Sequence, residues 1–131
     1  MDNGSDTNSL IFLTQKLLDS ISNKDWDTYV TLCDEKVTGI EKESENNLVD
    51  GLDFHKFYFD IPNDNNIVIK ETIVQPIIKI YGDIGIICYK RLRHFANITD
   101  KTVKTEFYNE TRVWRNNINI GWKLMHFHKS Y

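Results

Sequence analysis

Gly51-Leu52-Asp53-Phe54-His55-Lys56-Phe57-Tyr58-Phe59-Asp60 places four aromatic residues and a histidine in ten positions. Phe54, Phe57 and Tyr58 recur at i, i+3 and i+4, the spacing of one helix face. Asp53 stands near the start, where a carboxylate suits the positive end of a helix. Pro62 cannot continue the helix and ends it. On spacing alone this is a short amphipathic helix that closes one end of a core.

The pattern on either side differs. Upstream, Leu10, Leu13, Leu17, Leu18 and Ile21 form an apolar stripe at helical spacing, with Asp6, Thr7 or Ser9 available as a cap. Asp25 then caps a second helix that turns Trp26, Tyr29, Val30 and Cys33 inward. Val37 to Glu41 reads as a brief strand, and Lys42 to Asn47 as a charged loop. Downstream the chain becomes extended. Ile67 to Tyr81 is rich in β-branched residues, with Pro76 marking a bulge or an edge. Ile84 to Phe95, Val103 to Arg115 and Ile120 to Lys129 follow, separated by turns at Gly82-Asp83, Asn97–Lys101 and Asn116–Asn119. Three helical segments and then four long strands predict an α+β fold with a meander-like antiparallel sheet. Such strands must curl to bury one face, which leaves a cone with a pocket beneath the helices. The polar segment 1–8 is expected to be a disordered tail, and 9–131 a single domain.

Composition narrows the function classes. A chain of 131 residues fits one domain, and 40% hydrophobic content supports a buried core. The net charge of −3 argues against nucleic-acid binding through a broad basic surface. No apolar run reaches membrane-spanning length and no signal peptide opens the chain, so no membrane partner and a cytoplasmic location are expected. Cys33 and Cys88 lack metal spacing and read as buried free thiols. Asn97-Ile98-Thr99 and Asn109-Glu110-Thr111 match the glycosylation pattern but read as idle without a secretion signal.

Two strands carry mixed chemistry. On 103–115 one face holds Lys104, Glu106, Tyr108, Glu110, Arg112 and Trp114, while the other holds Val103, Thr105, Phe107, Asn109, Thr111 and Val113. Neither is cleanly apolar, which suits an oligomer contact or a polar pocket. On the last strand Trp122, Leu124, His126 and His128 share one face by alternation, with Lys123, Met125, Phe127 and Lys129 opposite. His126 and His128 could offer two metal ligands, but zinc needs three or more, so no metal and no cofactor is expected. Asp53 and His55 lie two apart on a helix and do not face each other, so they make no acid–base pair. No nucleophile motif, phosphate loop, dinucleotide fingerprint or kinase catalytic loop is present, and no catalytic residue is assigned.

The wording of three separated motifs goes further than their spacing. Asn47-Leu48-Val49-Asp50 leading into the aromatic helix, Glu110-Thr111-Arg112-Val113-Trp114, and His126-Phe127-His128-Lys129-Ser130 stand in this order. With Ile21-Ser22-Asn23-Lys24-Asp25-Trp26 and Cys33-Asp34, they resemble the association (hub) domain of calcium/calmodulin-dependent protein kinase II over about Ser9 to Ser130. The resemblance implies the cone-shaped α+β barrel shared with nuclear transport factor two-like proteins and polyketide cyclase-like enzymes. It implies a non-catalytic hub that self-assembles into a ring of stacked dimers, a dodecamer or tetradecamer. In a kinase context such a hub gathers kinase subunits for trans-phosphorylation, and the chain is either an excised hub or a free-standing one that joins full-length kinase rings. The alternative is a stand-alone isomerase, dehydratase or cyclase acting on a small carboxylic acid.

Matching residue by residue, Arg91 within Tyr89-Lys90-Arg91-Leu92, Arg112, and Lys129 in place of a family arginine correspond to basic residues of a deep pocket, with His55 at its wall. The implied ligand is a small carboxylate or a peptide segment. Internal salt bridges to Glu41, Glu106 or Glu110 are the competing explanation for these cations. Ile61-Pro62-Asn63-Asp64-Asn65-Asn66 departs from the longer tryptophan-containing loop of the family, which puts a gate over the pocket in doubt.

Overall fold

Helix α1 begins at Asn3 and runs to Ser22 in the computed structural model, which describes residues 3–130. The polar segment expected as a tail is therefore helical from Asn3 onward, while Met1 and Asp2 lie outside the described residues. Asp6, Thr7 and Ser9 sit within the helix rather than capping it. Its apolar stripe buries Leu10, Leu17 and Leu18 completely, and Thr14 with them. Lys24, at φ 55, turns the chain into α2 (Trp26–Leu32). Asp25 is the N-cap, accepting from the Thr28 amide at 3.2 Å and the Thr28 hydroxyl at 2.7 Å, as the sequence predicts.

Strand β1 (Cys33–Ile40) leaves α2 directly, and a single turn of 3₁₀ helix (Lys42–Ser44) precedes β2 (Leu48–Asp50). β1 is longer than the brief strand expected, and β2 was not expected at all. Helix α3 (Asp53–Phe59) follows. It turns His55 and Phe59 into the core, half-buries Tyr58 and leaves Phe57 exposed. The inward face is thus shifted from the Phe54–Phe57–Tyr58 stripe.

The four long strands are β3 (Ile67–Tyr81), β4 (Ile84–Asn97), β5 (Val103–Asn117) and β6 (Gly121–Ser130). They form the expected antiparallel meander, and β1 adds to its end parallel to β6. The six-stranded order β2-β1-β6-β5-β4-β3 leaves β2 and β3 as open edges, so the cone is a curled sheet and not a closed barrel. Pro76 lies on edge strand β3 at a register shift between Val74 and Ile77, with Gln75 at φ 52. An edge bulge is where a residue without an amide hydrogen does least harm.

A second bulge corrects the face reading of β6. Val113 pairs with His126 but Trp114 pairs with Leu124, so Met125 is the extra residue. Parity flips there. Leu124, Phe127 and Lys129 are buried with Trp114 and Arg112, whereas His126 and His128 no longer share a face with Trp122 and Leu124. On β4 and β5 alternation is regular: Ile87, Tyr89, Arg91 and Arg93 face inward beside Tyr108, Glu110, Arg112 and Trp114. Cys33 is buried and its thiol is pushed up to about 12 by that burial. Cys88 is only half-buried, its Sγ 3.7 Å from the Thr111 hydroxyl, which corrects the expectation that both are enclosed.

Gly39 on β1 has a local role in the fold. A Cβ there would stand 2.3 Å from the Phe127 ring, on the neighbouring strand residue with which Gly39 is in register. Only a residue without a side chain lets Phe127 lie flat across β1, and Phe127 floors the cavity described next.

Candidate functional site

Beneath α3, between the α1–α2 turn and the inner face of β4–β6, lies a cavity of about 50 Å³. Ile21, Tyr29, Tyr58, Phe59 and Phe127 form its apolar wall. His55, Arg91, Arg112 and Lys129, from four separate parts of the sequence, all line it. Glu41, Glu43 and Arg93 line it too, and the sequence reading had not placed them there. Arg93 could have been found by alternation, since it stands two residues from Arg91 on one strand.

The charged groups form a connected ladder. Arg91 gives Nε to Glu71 Oε1 at 2.9 Å, Nη2 to Glu71 Oε2 at 2.8 Å and Nη1 to Glu110 Oε2 at 2.8 Å. Glu71, inward-facing on β3, also accepts from Arg93 Nε at 3.0 Å and from the Ser22 hydroxyl. Glu110 accepts from the Tyr89 hydroxyl and from Arg112 Nη2 at 3.1 Å, and Arg112 Nε reaches the Tyr89 oxygen at 2.9 Å. The Arg112 guanidinium lies over the Phe127 ring, 4.8 Å from its centre. Lys129 Nζ meets Glu43 Oε1 at 3.1 Å and stands over the Tyr108 ring.

The competing explanation is therefore realised in part, with different partners from those expected. Glu110 does bind both Arg91 and Arg112. Glu106 instead joins Lys104 and Tyr108, and the other partners, Glu71 and Glu43, were not foreseen. Pairing and lining coexist because each guanidinium has more donors than the carboxylates use. Two buried guanidinium nitrogens, Arg93 Nη2 and Arg112 Nη1, have no hydrogen-bond partner among the described residues, and neither has the indole Nε1 of Trp114.

Electrostatics follow from this enclosure. Burial would raise Glu110, but Arg91 and Arg112 outweigh it and hold the carboxyl at about 2. Burial likewise opposes Arg91 and Arg93 at Glu71, where the net shift is downward. Glu41 is pushed up by burial, with Lys129 opposing. His55 is pulled down to about 4, first by burial and then by the Arg112 charge. Its Nδ1 lies 2.6 Å from the Tyr29 hydroxyl, whose own pKa burial raises well above the usual range. Tyr29 therefore keeps its proton and the imidazole is neutral at pH 7, so the two share one hydrogen bond between uncharged groups.

Of the carboxylates around the cavity, Glu71, Glu110 and Glu43 are paired with cations, and the histidine is neutral at pH 7. Among the described residues no group of three or more His, Cys, Asp or Glu side chains could hold a metal ion. His126 is engaged with the Thr38 hydroxyl at 2.7 Å. No helix of the described residues is long and apolar enough to cross a membrane.

Residues 6–131 match the family described as calcium/calmodulin dependent protein kinase II association domain. The type II alpha chain of that kinase from Drosophila melanogaster is 37% identical over 123 residues, 92% of this chain. The chain spans only 23% of that relative's length. The association domain of the C. elegans kinase superposes with a TM-score of 0.87 at 34% identity, covering 98% of this chain and 97% of that one. A nuclear transport factor 2-like protein from Salmonella enterica shares the fold, with a TM-score of 0.74 at 17% identity over 94% of this chain and 88% of its own. By sequence over nearly its whole length and by superposition, the chain belongs to the calcium/calmodulin-dependent protein kinase II association-domain family.

Proposed function

We propose that this chain is a non-catalytic, cytoplasmic hub that assembles with copies of itself into a closed ring of stacked dimers, a dodecamer or a tetradecamer. Membership of the association-domain family carries this reading. The outward face of the sheet supports it. Val68 on β3 and Val103 and Phe107 on β5 are more than half exposed there, a surface that a second copy would cover. In a kinase context the ring gathers kinase subunits so that neighbours phosphorylate one another, because tethering raises local concentration without new catalytic contacts. The cavity is read as an anion site in which His55, Arg91, Arg112 and Lys129 surround a small carboxylate or a peptide carboxylate.

Against an isomerase or dehydratase stands the state of the ionisable groups. A general base works best with a pKa near the operating pH. His55 at about 4 and Glu110 at about 2 are both far below it and engaged by neighbours, while Glu41, the lining carboxyl that burial pushes up, has the Lys129 charge opposing that rise. The test is Phe107→Asp, followed by analytical ultracentrifugation and circular dichroism. A charge on the outer face should split the ring into smaller species that keep their secondary structure. An intact ring would show that this face is not an assembly surface. Pull-down with a co-expressed full-length kinase tests the mixed assembly, and its absence would leave self-assembly alone.

A further inference from the structure

We propose that the cavity takes a short dicarboxylate, one carboxylate held by Arg112 and the other by Arg93. The inference rests on the anion-site reading above and adds both a residue and a ligand class to it. Its basis is the order of the ladder, which runs Arg93, Glu71, Arg91, Glu110, Arg112. Arg91 stands in the middle with each of its three nitrogens already on a carboxylate. It positions its neighbours, and only the second hydrogens of its two Nη atoms remain for a ligand.

The open donors lie at the two ends. Arg93 Nη2 and Arg112 Nη1 are buried without partners among the described residues, on side chains whose residues are only 8% and 2% exposed, and both residues line the cavity. A buried guanidinium nitrogen without an acceptor is costly, so each end calls for an oxygen. A diacid offers one carboxylate to each. Along the β4–β5 hairpin Arg93 is in register with Glu106 and Arg112 with Ile87, six residues apart. At about 3.3 Å per residue the two backbone positions are roughly 20 Å apart. The long side chains of both reach the same cavity, which shortens the gap between their heads. Glu71, Arg91 and Glu110 stand between those heads in the ladder.

Charge and size agree with a two-headed acid. The ladder holds three arginines against two glutamates, an excess of one positive charge, and the lining carboxyl of Glu41 opposes it less than a free carboxylate would because burial pushes its pKa up. Lys24 adds a second positive charge at the Arg93 end, where it bonds the Tyr58 carbonyl at 2.9 Å beside the cavity wall. About 50 Å³ has room for roughly three to five waters at about 10–15 Å³ each. That suits a chain of two to four carbons, with Tyr58, Phe59 and Phe127 lining the path of its methylenes.

Isothermal titration of the full chain with succinate and with butyrate, the monoacid of equal carbon count, tests this. Succinate should bind at least about tenfold tighter than butyrate, since the second charge-assisted contact exists only for the diacid. Arg93→Lys keeps the charge beside Glu71 but removes Nη2. It should bring succinate to the butyrate level, with the affinity that remains reporting the Arg112 end. Equal binding of the two acids by the unaltered chain overturns the dicarboxylate inference and leaves the anion site standing. Failure of both acids to bind at millimolar concentration overturns the anion site itself. The comparison on the unaltered chain decides even if Arg93→Lys does not fold.

Discussion

Replacing Glu110 by glutamine should cost this protein about 3 kcal/mol at pH 7, with most of that cost gone at pH 2. Glu110 is 3% exposed and receives Arg91 Nη1, Arg112 Nη2 and the Tyr89 hydroxyl. Its pKa falls from 4.5 to about 2 in the fold. At 1.36 kcal/mol per unit that corresponds to about 3 kcal/mol of folding free energy. An independent figure comes from breaking a buried ion pair on one side, about 3–5 kcal/mol. The sign follows from linkage. A carboxyl depressed in the folded state stabilises above its unfolded pKa, and that stability is lost as pH falls through the folded value. The difference between the unaltered chain and Glu110→Gln should thus be full at pH 7, shrink below about 4.5 and nearly vanish near 2. Urea unfolding at several pH values and matched protein concentration measures it, since unfolding of an assembly depends on concentration. A loss under about 1 kcal/mol at pH 7, or one that does not change with pH, would refute the view that Glu110 is a charged keystone between two arginines.

Gly39→Ala should destabilise the fold by about 1–3 kcal/mol, because the new methyl meets the core ring of Phe127 and not a flexible side-chain end; thermal unfolding checks it, and an unchanged midpoint would show that β1 and β6 shift apart easily. His55 should titrate at about 4 by NMR. Because its pKa is depressed below 6.5, its contribution to stability is present above that value and lost as pH falls through about 4. A midpoint above 6 would mean that the ring is wet or faces a carboxylate.

Much of this was legible in the sequence because local rules agreed with one another. Asp25 before Trp26 marks a helix start that the Thr28 contacts realise. Pro76 marks an edge bulge where β3 does shift register. Alternation on β5 puts Tyr108, Glu110, Arg112 and Trp114 on one face, and those four are buried while Asn109, Thr111 and Val113 are less so. The failures have a common physical form. Met125 is one inserted residue, and one residue is enough to exchange every later side chain of β6 between faces. β2 is three residues long and held only by its pairing with Thr38, Gly39 and Ile40, so it leaves no periodic trace. Glu71 follows Lys70 in a strand rich in β-branched residues and reads as a solvated charge. Its burial depends on Arg91 and Arg93 from the adjacent strand, which is a pairing no local pattern encodes. The four pocket residues were reached through motif resemblance and not through spacing, and the partner glutamates at 71 and 43 were missed for that reason.

The mass of the native assembly tests the central claim most directly. Native mass spectrometry of the chain at micromolar concentration should give an even multiple of the 15.5 kDa subunit, at twelve or fourteen copies if the ring closes as proposed. A single species at 15.5 kDa would contradict the hub account and return the cavity to the small-acid enzyme reading.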